Sequence, residues 1–130
     1  MKRLALLGLL ALASCATVQK PPNLSGRWGG QGIGLLLEGG LGQVQYDCAS
    51  GTIDSAILPG AEGRFTAEGT HRAGQGGPVR VGQIFTSSRA TYSGRVQGNQ
   101  MELRVALEDG NVLGPFTLVE GAGPQIHRCL

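Results

Sequence analysis

The chain is poor in the residues from which enzymes most often build their sites. It has two histidines, His71 and His127, and three cysteines. No carboxylate or thiol lies at metal-ligand spacing from either histidine, which argues against a metal site. Ser55, Ser87 and Ser88 have no histidine placed to activate them, so no nucleophile–base pair stands out. We therefore expect a protein that binds its partner without transforming it, with no catalytic residue and no cofactor.

Net charge is also missing once the N-terminus is set aside. The formal charge of +2 is carried by Lys2 and Arg3, because without them nine basic residues face nine acidic ones. A domain without an excess of basic residues cannot neutralise the phosphate groups of nucleic acid, so nucleic acid is not an expected partner. Asp47, Asp54 and Glu68 fall on predicted outward strand faces. Solvated charge is expected there rather than acid–base work.

The first fifteen residues have the order of an export signal. Met1, Lys2 and Arg3 give a cationic start, residues 4–12 are apolar, and small residues precede Cys15. This resembles the lipobox of bacterial lipoproteins, in which the cysteine is acylated and becomes the first mature residue. The resemblance implies lipid attachment at Cys15, export, and anchoring in the cell envelope, with Ala16 favouring the outer membrane. The alternative is an ordinary signal peptide. The apolar run is well short of the roughly 20 residues of a membrane span.

These features divide the chain into a signal peptide (1–14), a lipid-anchored tether (15–23) and one β-domain (24–130). The eight residues from Ala16 to Asn23 reach about 26–29 Å when fully extended, which keeps the domain close to its membrane. With Cys15 assigned to lipid, Cys48 and Cys129 remain, and an oxidising compartment favours a disulfide between them. It would close a loop of about 80 residues and contribute about 4–5 kcal/mol. The alternative is a pair of free buried thiols.

Glycine is the abundant residue, and it is spread along the chain. Frequent glycine fits tight turns and opposes helices, and turn signals recur every eight to twelve residues. Eight or nine strands in up-and-down order predict an all-β, antiparallel, closed barrel, because closure removes vulnerable edges. Strands are expected over residues 51–57 and 64–72, more weakly over 79–85, and at 126–130 as the closing strand.

Three hairpins can be placed from turn chemistry. A turn at Gly39 and Gly40 sets Leu35 opposite Val44 and Ile33 opposite Tyr46. A turn at Gly98 and Asn99 sets Tyr92 opposite Val105, with Arg95 facing Glu102 on the other side. A turn at Asp109 and Gly110 sets Leu107 opposite Val112 and Leu103 opposite Phe116. Each turn brings apolar residues to one face, as a half-buried sheet requires.

Gly26, Arg27 and Trp28 open the first strand, and Arg128 lies near the end of the chain. This resembles the calycin (lipocalin-like) pattern, which implies Arg128 packing on the Trp28 indole at the barrel floor. It also implies an apolar ligand inside the barrel. Residues expected to line it are Tyr46, Tyr92 and Phe116, with Ile33, Leu35 and Leu103. The alternatives are that Trp28 is simply a core aromatic and that the inward residues fill a narrow core.

Residues 46–51 are similar to the Tyr-x-Cys-x-x-Gly stretch of C-type lysozyme inhibitors, which implies inhibition of a wall-lytic enzyme. That family inserts a serine and a lysine into the enzyme cleft, and Lys20 in the tether is the one lysine after Cys15. The residues that could loosely substitute for that serine and lysine are Ser88, Ser93, Arg89 and Arg95.

Other features favour surface roles. Leu113 and Pro115 are expected to project outward and to seed an apolar patch for an envelope protein. His71 is expected at a solvated strand end. The glycine-rich residues 74–78 could cradle an anion or simply form a mobile loop.

Overall fold

In the computed structural model, eight strands form one closed antiparallel barrel, in which each strand pairs with the next and β8 pairs with β1. The structure describes Gly8 and residues 23–74, 81–82 and 86–127. The all-β, up-and-down barrel of about eight strands predicted from turn spacing is confirmed. Among the described residues, no helix is long and apolar enough to span a bilayer. The strands are β1 (Gly26–Gly30), β2 (Ile33–Glu38), β3 (Leu41–Tyr46), β4 (Ala49–Ile53), β5 (Arg64–Ala73), β6 (Ser88–Gln97), β7 (Gln100–Leu107) and β8 (Val112–Glu120), and a short 3-10 helix (Ala61–Gly63) precedes β5.

The first two predicted hairpins have the expected register. Gly39 and Gly40 both have positive φ, at 59° and 80°, as the two central residues of a type I′ turn require. Leu35 then pairs with Val44 and Ile33 with Tyr46. In the β6–β7 hairpin, Tyr92 pairs with Val105 and Arg95 with Glu102.

The third predicted hairpin is correct at its base and wrong near its turn. Leu103 pairs with Phe116 as expected, but a register shift follows, and Val112 lies opposite Ala106 rather than Leu107. The extra residue in β8 lies at Gly114, which has a φ of 99°, and Pro115, which has no N–H for the ladder. The shift turns Leu113 toward Val105 and the core. Its predicted outward position is therefore wrong, whereas Pro115 is exposed.

The barrel is closed by β8 and not by the C-terminal residues. Trp28 pairs with Glu120 and Gly29 with Val119. The predicted closing strand at 126–130 is therefore wrong for Ile126 and His127, which lie in no strand, while residues 128–130 lie outside the described part. After β8, the chain returns along β1, where the Gly121 N–H donates to the Arg27 carbonyl and the Gln125 N–H to the Gly30 carbonyl.

Two other strand predictions differ in their bounds or cannot be placed. β4 spans Ala49–Ile53 rather than 51–57, because the chain leaves the sheet at Asp54. The weaker strand expected at 79–85 falls almost wholly outside the described residues, and the two that are described, Val81 and Gly82, lie in a turn.

Side chains occupy the barrel interior. Sixteen apolar residues at most 5% exposed form one cluster, as expected for eight strands, whose barrel is just wide enough for side chains to fill. Inward-facing glycines make room for the larger of them. A Cβ at Gly94 would lie 3.1 Å from the Phe65 ring, and one at Gly69 would lie 2.9 Å from the Tyr92 ring. The cluster comprises Trp28, Ile33, Leu35, Leu37, Val44, Tyr46, Ile53, Ile57, Phe65, Ala67, Ala90, Tyr92, Met101, Leu103, Val105 and Leu118.

The two ends of the barrel differ. At one end, the β4–β5 connection inserts Ile57, which is 1% exposed, and the Ile57 carbonyl accepts a hydrogen bond from the Leu24 N–H at 2.9 Å. We call this the sealed end. The β1–β2, β3–β4 and β7–β8 turns lie at the other end, together with the last residues of β5. We call this the mouth.

Candidate binding site at the mouth of the barrel

A cavity of about 460 Å³ lies at the mouth, within the size range of small-ligand sites. Its lining combines buried and half-exposed apolar side chains with polar groups at the rim, and most of the lining residues come from strand ends or turns, with Phe116 from the middle of β8. The lining residues are Gln31, Gly32, Tyr46, Asp47, Ala49, His71, Leu113 and Phe116.

Three rings meet in this cavity. The Tyr46 ring centroid lies 5.2 Å from that of His71, with the planes tilted by 57°, and 6.1 Å from that of Phe116, tilted by 49°. These are the tilted, offset arrangements that aromatic pairs prefer. Tyr46 is buried, while His71 and Phe116 remain partly exposed. The cavity therefore presents ring edges and faces to an incoming group.

A chain of hydrogen-bonded hydroxyl groups runs inward from Tyr46, which lines the cavity. The Tyr46 hydroxyl donates to the Tyr92 hydroxyl at 3.1 Å, and the Tyr92 hydroxyl donates to the Thr70 carbonyl at 2.7 Å. A Cβ at Gly51 would collide with the Tyr92 hydroxyl, so glycine is required beside it. Burial is the main cause that raises the pKa of Tyr46 far above its usual range. The charge of Tyr92 and the hydrogen bond between the two hydroxyls raise it further. Burial also raises the pKa of Tyr92. Both phenols therefore stay neutral and keep the protons that they donate in these hydrogen bonds.

His71 is the titratable side chain of the cavity wall. Burial lowers the pKa of His71 below its usual value, and the Asp109 carboxylate on the β7–β8 turn opposes that shift. The imidazole is therefore neutral at pH 7, when it can donate through one ring nitrogen and accept through the other. His71 lies near the end of β5 and is partly exposed, as expected, but its side chain lines the cavity rather than standing free in solvent. His71 continues the inward alternation of Phe65, Ala67 and Gly69 along β5.

The C-terminal segment reaches the rim beside Cys48. The Asp47 carboxylate accepts a hydrogen bond from the His127 N–H at 2.7 Å. Cys48 follows in the β3–β4 turn with a φ of 59°, and its carbonyl accepts from the Gly74 N–H at 2.6 Å. This brings the residue two positions before Cys129 next to the residue before Cys48. Cys129 itself lies outside the described residues, so their pairing stays a prediction.

The other predicted site residues are distributed as follows. Tyr46 and Phe116 line the mouth, whereas Tyr92 is completely buried beneath it. Trp28 is 1% exposed in the core, and its indole N–H donates to the Ser25 carbonyl at 3.3 Å. Three predicted features lie outside the described part of the chain: the lipid site Cys15, Arg128, which was expected to pack on Trp28, and most of the glycine-rich residues 74–78.

The three carboxylates singled out in the sequence have hydrogen-bond partners on the barrel surface. Within the described ranges, no three His, Cys, Asp or Glu side chains group as metal ligands. Asp47 lies at the mouth, while Asp54 lies near the sealed end, where its carboxylate accepts from the Thr52 hydroxyl at 2.8 Å. Glu68 accepts from the Thr91 hydroxyl at 3.3 Å. The three carboxylates are thus hydrogen-bonded surface groups, as their outward positions predicted.

A second depression lies on the outer wall of the barrel. It measures about 290 Å³ and is bordered by Arg27, Leu36, Gln43, Gln45 and Pro124, among others. Its lining mixes polar and apolar residues, but it is smaller than the mouth cavity, and Trp28, which is 1% exposed, is the one aromatic residue among them. The mouth is therefore the stronger candidate. No known family model matches this chain, and neither a curated protein nor a solved structure does.

Proposed function

We propose that this protein is a lipid-anchored envelope lipoprotein with a non-catalytic binding role, and that its binding surface is the mouth of the barrel. The lipid attachment at Cys15 and the export signal are inferred from residues 1–15. The observation that carries the binding role is the asymmetry of the barrel. One end is sealed by Ile57, whereas the other holds a 460 Å³ cavity lined by Tyr46, His71, Leu113 and Phe116.

The ligand suited to this cavity is a small, flat, apolar group with one hydrogen-bonding function. Half-exposed Phe116 and Leu113 offer apolar surface that a ligand would remove from water, at about 25 cal/mol per Å². Neutral His71 offers one donor or acceptor beside the Tyr46 ring. Such a group belongs either to a free small molecule or to an exposed side chain of an envelope protein.

Binding at the mouth is favoured over carriage of a ligand inside the barrel. A calycin-type carrier needs interior volume, and the interior here is occupied by a continuous cluster of buried side chains. Tyr46 belongs both to the lining of the mouth cavity and to that cluster, and Tyr92, which is completely buried, lies behind it. A ligand would therefore sit in the mouth rather than behind it.

The binding role is tested by native mass spectrometry of the protein extracted gently from its membrane. We expect a bound small molecule or a co-extracted envelope protein with the wild type, and its loss with Phe116→Ala. Leu58→Ala serves as the matched control, because Leu58 is an exposed apolar residue at the sealed end. Equal retention by the two variants would argue against the mouth.

The anchor is tested separately. Cys15→Ser should abolish membrane fractionation, because no acyl group can then be attached. A serine variant that still fractionates with membranes would remove the lipoprotein proposal and leave the binding role standing.

Inhibition of a wall-lytic enzyme is the second candidate, and one observation favours it. The stretch that resembles the C-type lysozyme inhibitors, residues 46–51, supplies Tyr46, Asp47 and Ala49 to the mouth cavity. An exposed rim could be covered by the enzyme. The test is a lysozyme activity assay with the purified protein, in which inhibition that is lost with Phe116→Ala would support this candidate.

A further inference from the structure

Two exposed leucines lie at the sealed end of the barrel, beside the point where the chain enters it. Leu41 is 60% exposed at the start of β3, and Leu58 is 57% exposed in the β4–β5 connection. Both are large apolar side chains on a part of the barrel that takes no part in the mouth cavity.

Backbone contacts bring these leucines and the chain entry together. The Leu24 N–H donates to the carbonyl of Ile57, the residue before Leu58. On the other side, a Cβ at Gly40, the residue before Leu41, would lie 3.7 Å from the Ala56 side chain. The first residue of the domain and the two leucines therefore share one end of the barrel.

The length of chain before the domain limits how far this end can be from the lipid. Eight residues separate Cys15 from Leu24 and span at most about 26–29 Å. An end tied this closely to an acylated cysteine is the one that meets the membrane surface most often. Exposed leucines at that end can bury apolar area at the boundary between headgroups and acyl chains, which strengthens attachment.

We propose that the sealed end is a membrane-contacting surface, with Leu41 and Leu58 immersed in the lipid interface and the mouth directed away from it. This inference rests on the lipid anchor of the proposed function. The partner surface is zwitterionic lipid, because the sealed end carries charges of both signs: Glu38 pairs with Leu41 across the β2–β3 hairpin, and Arg64 at the start of β5 forms an ion pair with Glu62. Such a mixed surface has no basic excess to attract anionic headgroups. The mouth is then open to ligands arriving from the aqueous compartment.

The test uses the full lipidated protein in phosphatidylcholine vesicles with brominated acyl chains, which quench nearby tryptophan. Leu41→Trp and Leu58→Trp place the reporter in the surface. Val112→Trp is the matched control, because Val112 is 59% exposed at the mouth. The native Trp28 is 1% exposed in the core and adds a constant background.

We expect the added tryptophan to lose most of its emission at positions 41 and 58 and to keep it at 112. Two results would overturn the orientation and leave the anchor intact. One is equal quenching at positions 41, 58 and 112, and the other is no quenching at 41 and 58 in a protein that floats with the vesicles. A wild-type protein that does not float would remove both proposals. In the unsubstituted protein, a headgroup spin-labelled lipid should broaden the amide signals of Leu41 and Leu58 but not that of Val112, and the reverse pattern contradicts the proposal.

Discussion

At the scale of single residues, the mouth depends on a few polar atoms with unequal roles. The Tyr92 hydroxyl accepts from Tyr46 and donates to the Thr70 carbonyl, so it satisfies two partners. The Tyr46 hydroxyl donates one bond. Removing a shared partner from a buried site is costlier than removing a terminal one, because other groups are left unpaired.

Tyr92→Phe should therefore destabilise the protein more than Tyr46→Phe. We expect a loss of about 1–3 kcal/mol for Tyr92→Phe, which leaves two groups without their partner, and about 0.5–1.5 kcal/mol for Tyr46→Phe. Chemical denaturation of the two variants measures the difference. A larger loss for Tyr46→Phe would contradict the central position of the Tyr92 hydroxyl between its two partners.

His71 gives the domain a predictable response to acid. Its pKa is lowered in the folded state by burial, so between that value and the unfolded value near 6.5 the unfolded chain binds more protons. Stability should therefore fall as the pH drops below about 6.5, and His71→Gln should remove this part of the dependence. The imidazole titration in NMR spectra should show a midpoint below 6.5, and lower still in Asp109→Asn. A midpoint above 6.5 would contradict a partly buried, neutral histidine.

At the scale of strands, inward glycines determine which large side chains fit between neighbours. Gly69 on β5 faces the core, and a Cβ there would collide with the Thr52 carbonyl and lie 2.9 Å from the Tyr92 ring. Gly123, after β8, has nothing within 4 Å of the same position. Neither glycine has the positive φ that would itself forbid a side chain. Alanine substitutions at these two glycines therefore differ mainly in the space available for the added methyl group.

Gly69→Ala should cost about 1–3 kcal/mol or more, as overpacking of a filled core does. Gly123→Ala should be neutral or stabilise by about 0.4–1 kcal/mol, because it restricts the unfolded chain. Thermal unfolding of both variants provides the comparison. Equal effects would mean that Gly69 is not pressed against Tyr92.

The strands also show where sequence reasoning succeeds and where it fails. The hairpins at Gly39 and Gly98 could be placed because their turn residues and the apolar alternation agree. The inward position of Leu113 could not be placed, since a single extra residue in β8 reverses the faces of the β8 residues between the bulge and the turn. The glycine–proline pair that marks this bulge was visible in the sequence, but its effect on the register was not.

The site was partly predictable for the same reason. Tyr46 and Phe116 were expected on the inner face from alternation, and both line the mouth. His71 carries the same signal, since it continues the inward series on β5, but its place near the end of that strand does not reveal that it lines a cavity. The difference between a sealed and an open end depends on Ile57 in a connecting segment, where no periodicity indicates burial.

At the scale of the whole molecule, the C-terminal segment ties the outer wall of the barrel to the mouth. It runs from Gly121 beside Arg27 to His127 beside Asp47. This course carries the chain toward Cys48, and the predicted Cys48–Cys129 disulfide would fasten it there. The mouth would then depend on a covalent link as well as on packing.

We expect Cys48 and Cys129 to resist thiol reagents until the protein is reduced. Reduction should lower the free energy of unfolding by up to about 4–5 kcal/mol, as closure of a long loop predicts. Alkylation and intact mass measurement of protein taken from its native compartment test the pairing. Two freely alkylated thiols in unreduced, folded protein would refute it.

The central claim, that the mouth is the binding surface, is tested most directly by NMR titration of the isotope-labelled protein with indole. Indole is a flat, apolar probe with one N–H donor, which matches the rings and the neutral imidazole of the cavity. We expect saturable shifts at Ala49, His71, Leu113 and Phe116, weakened by Phe116→Ala and unchanged by Leu58→Ala. Shifts confined to the sealed end, or equal weakening by both variants, would contradict the account.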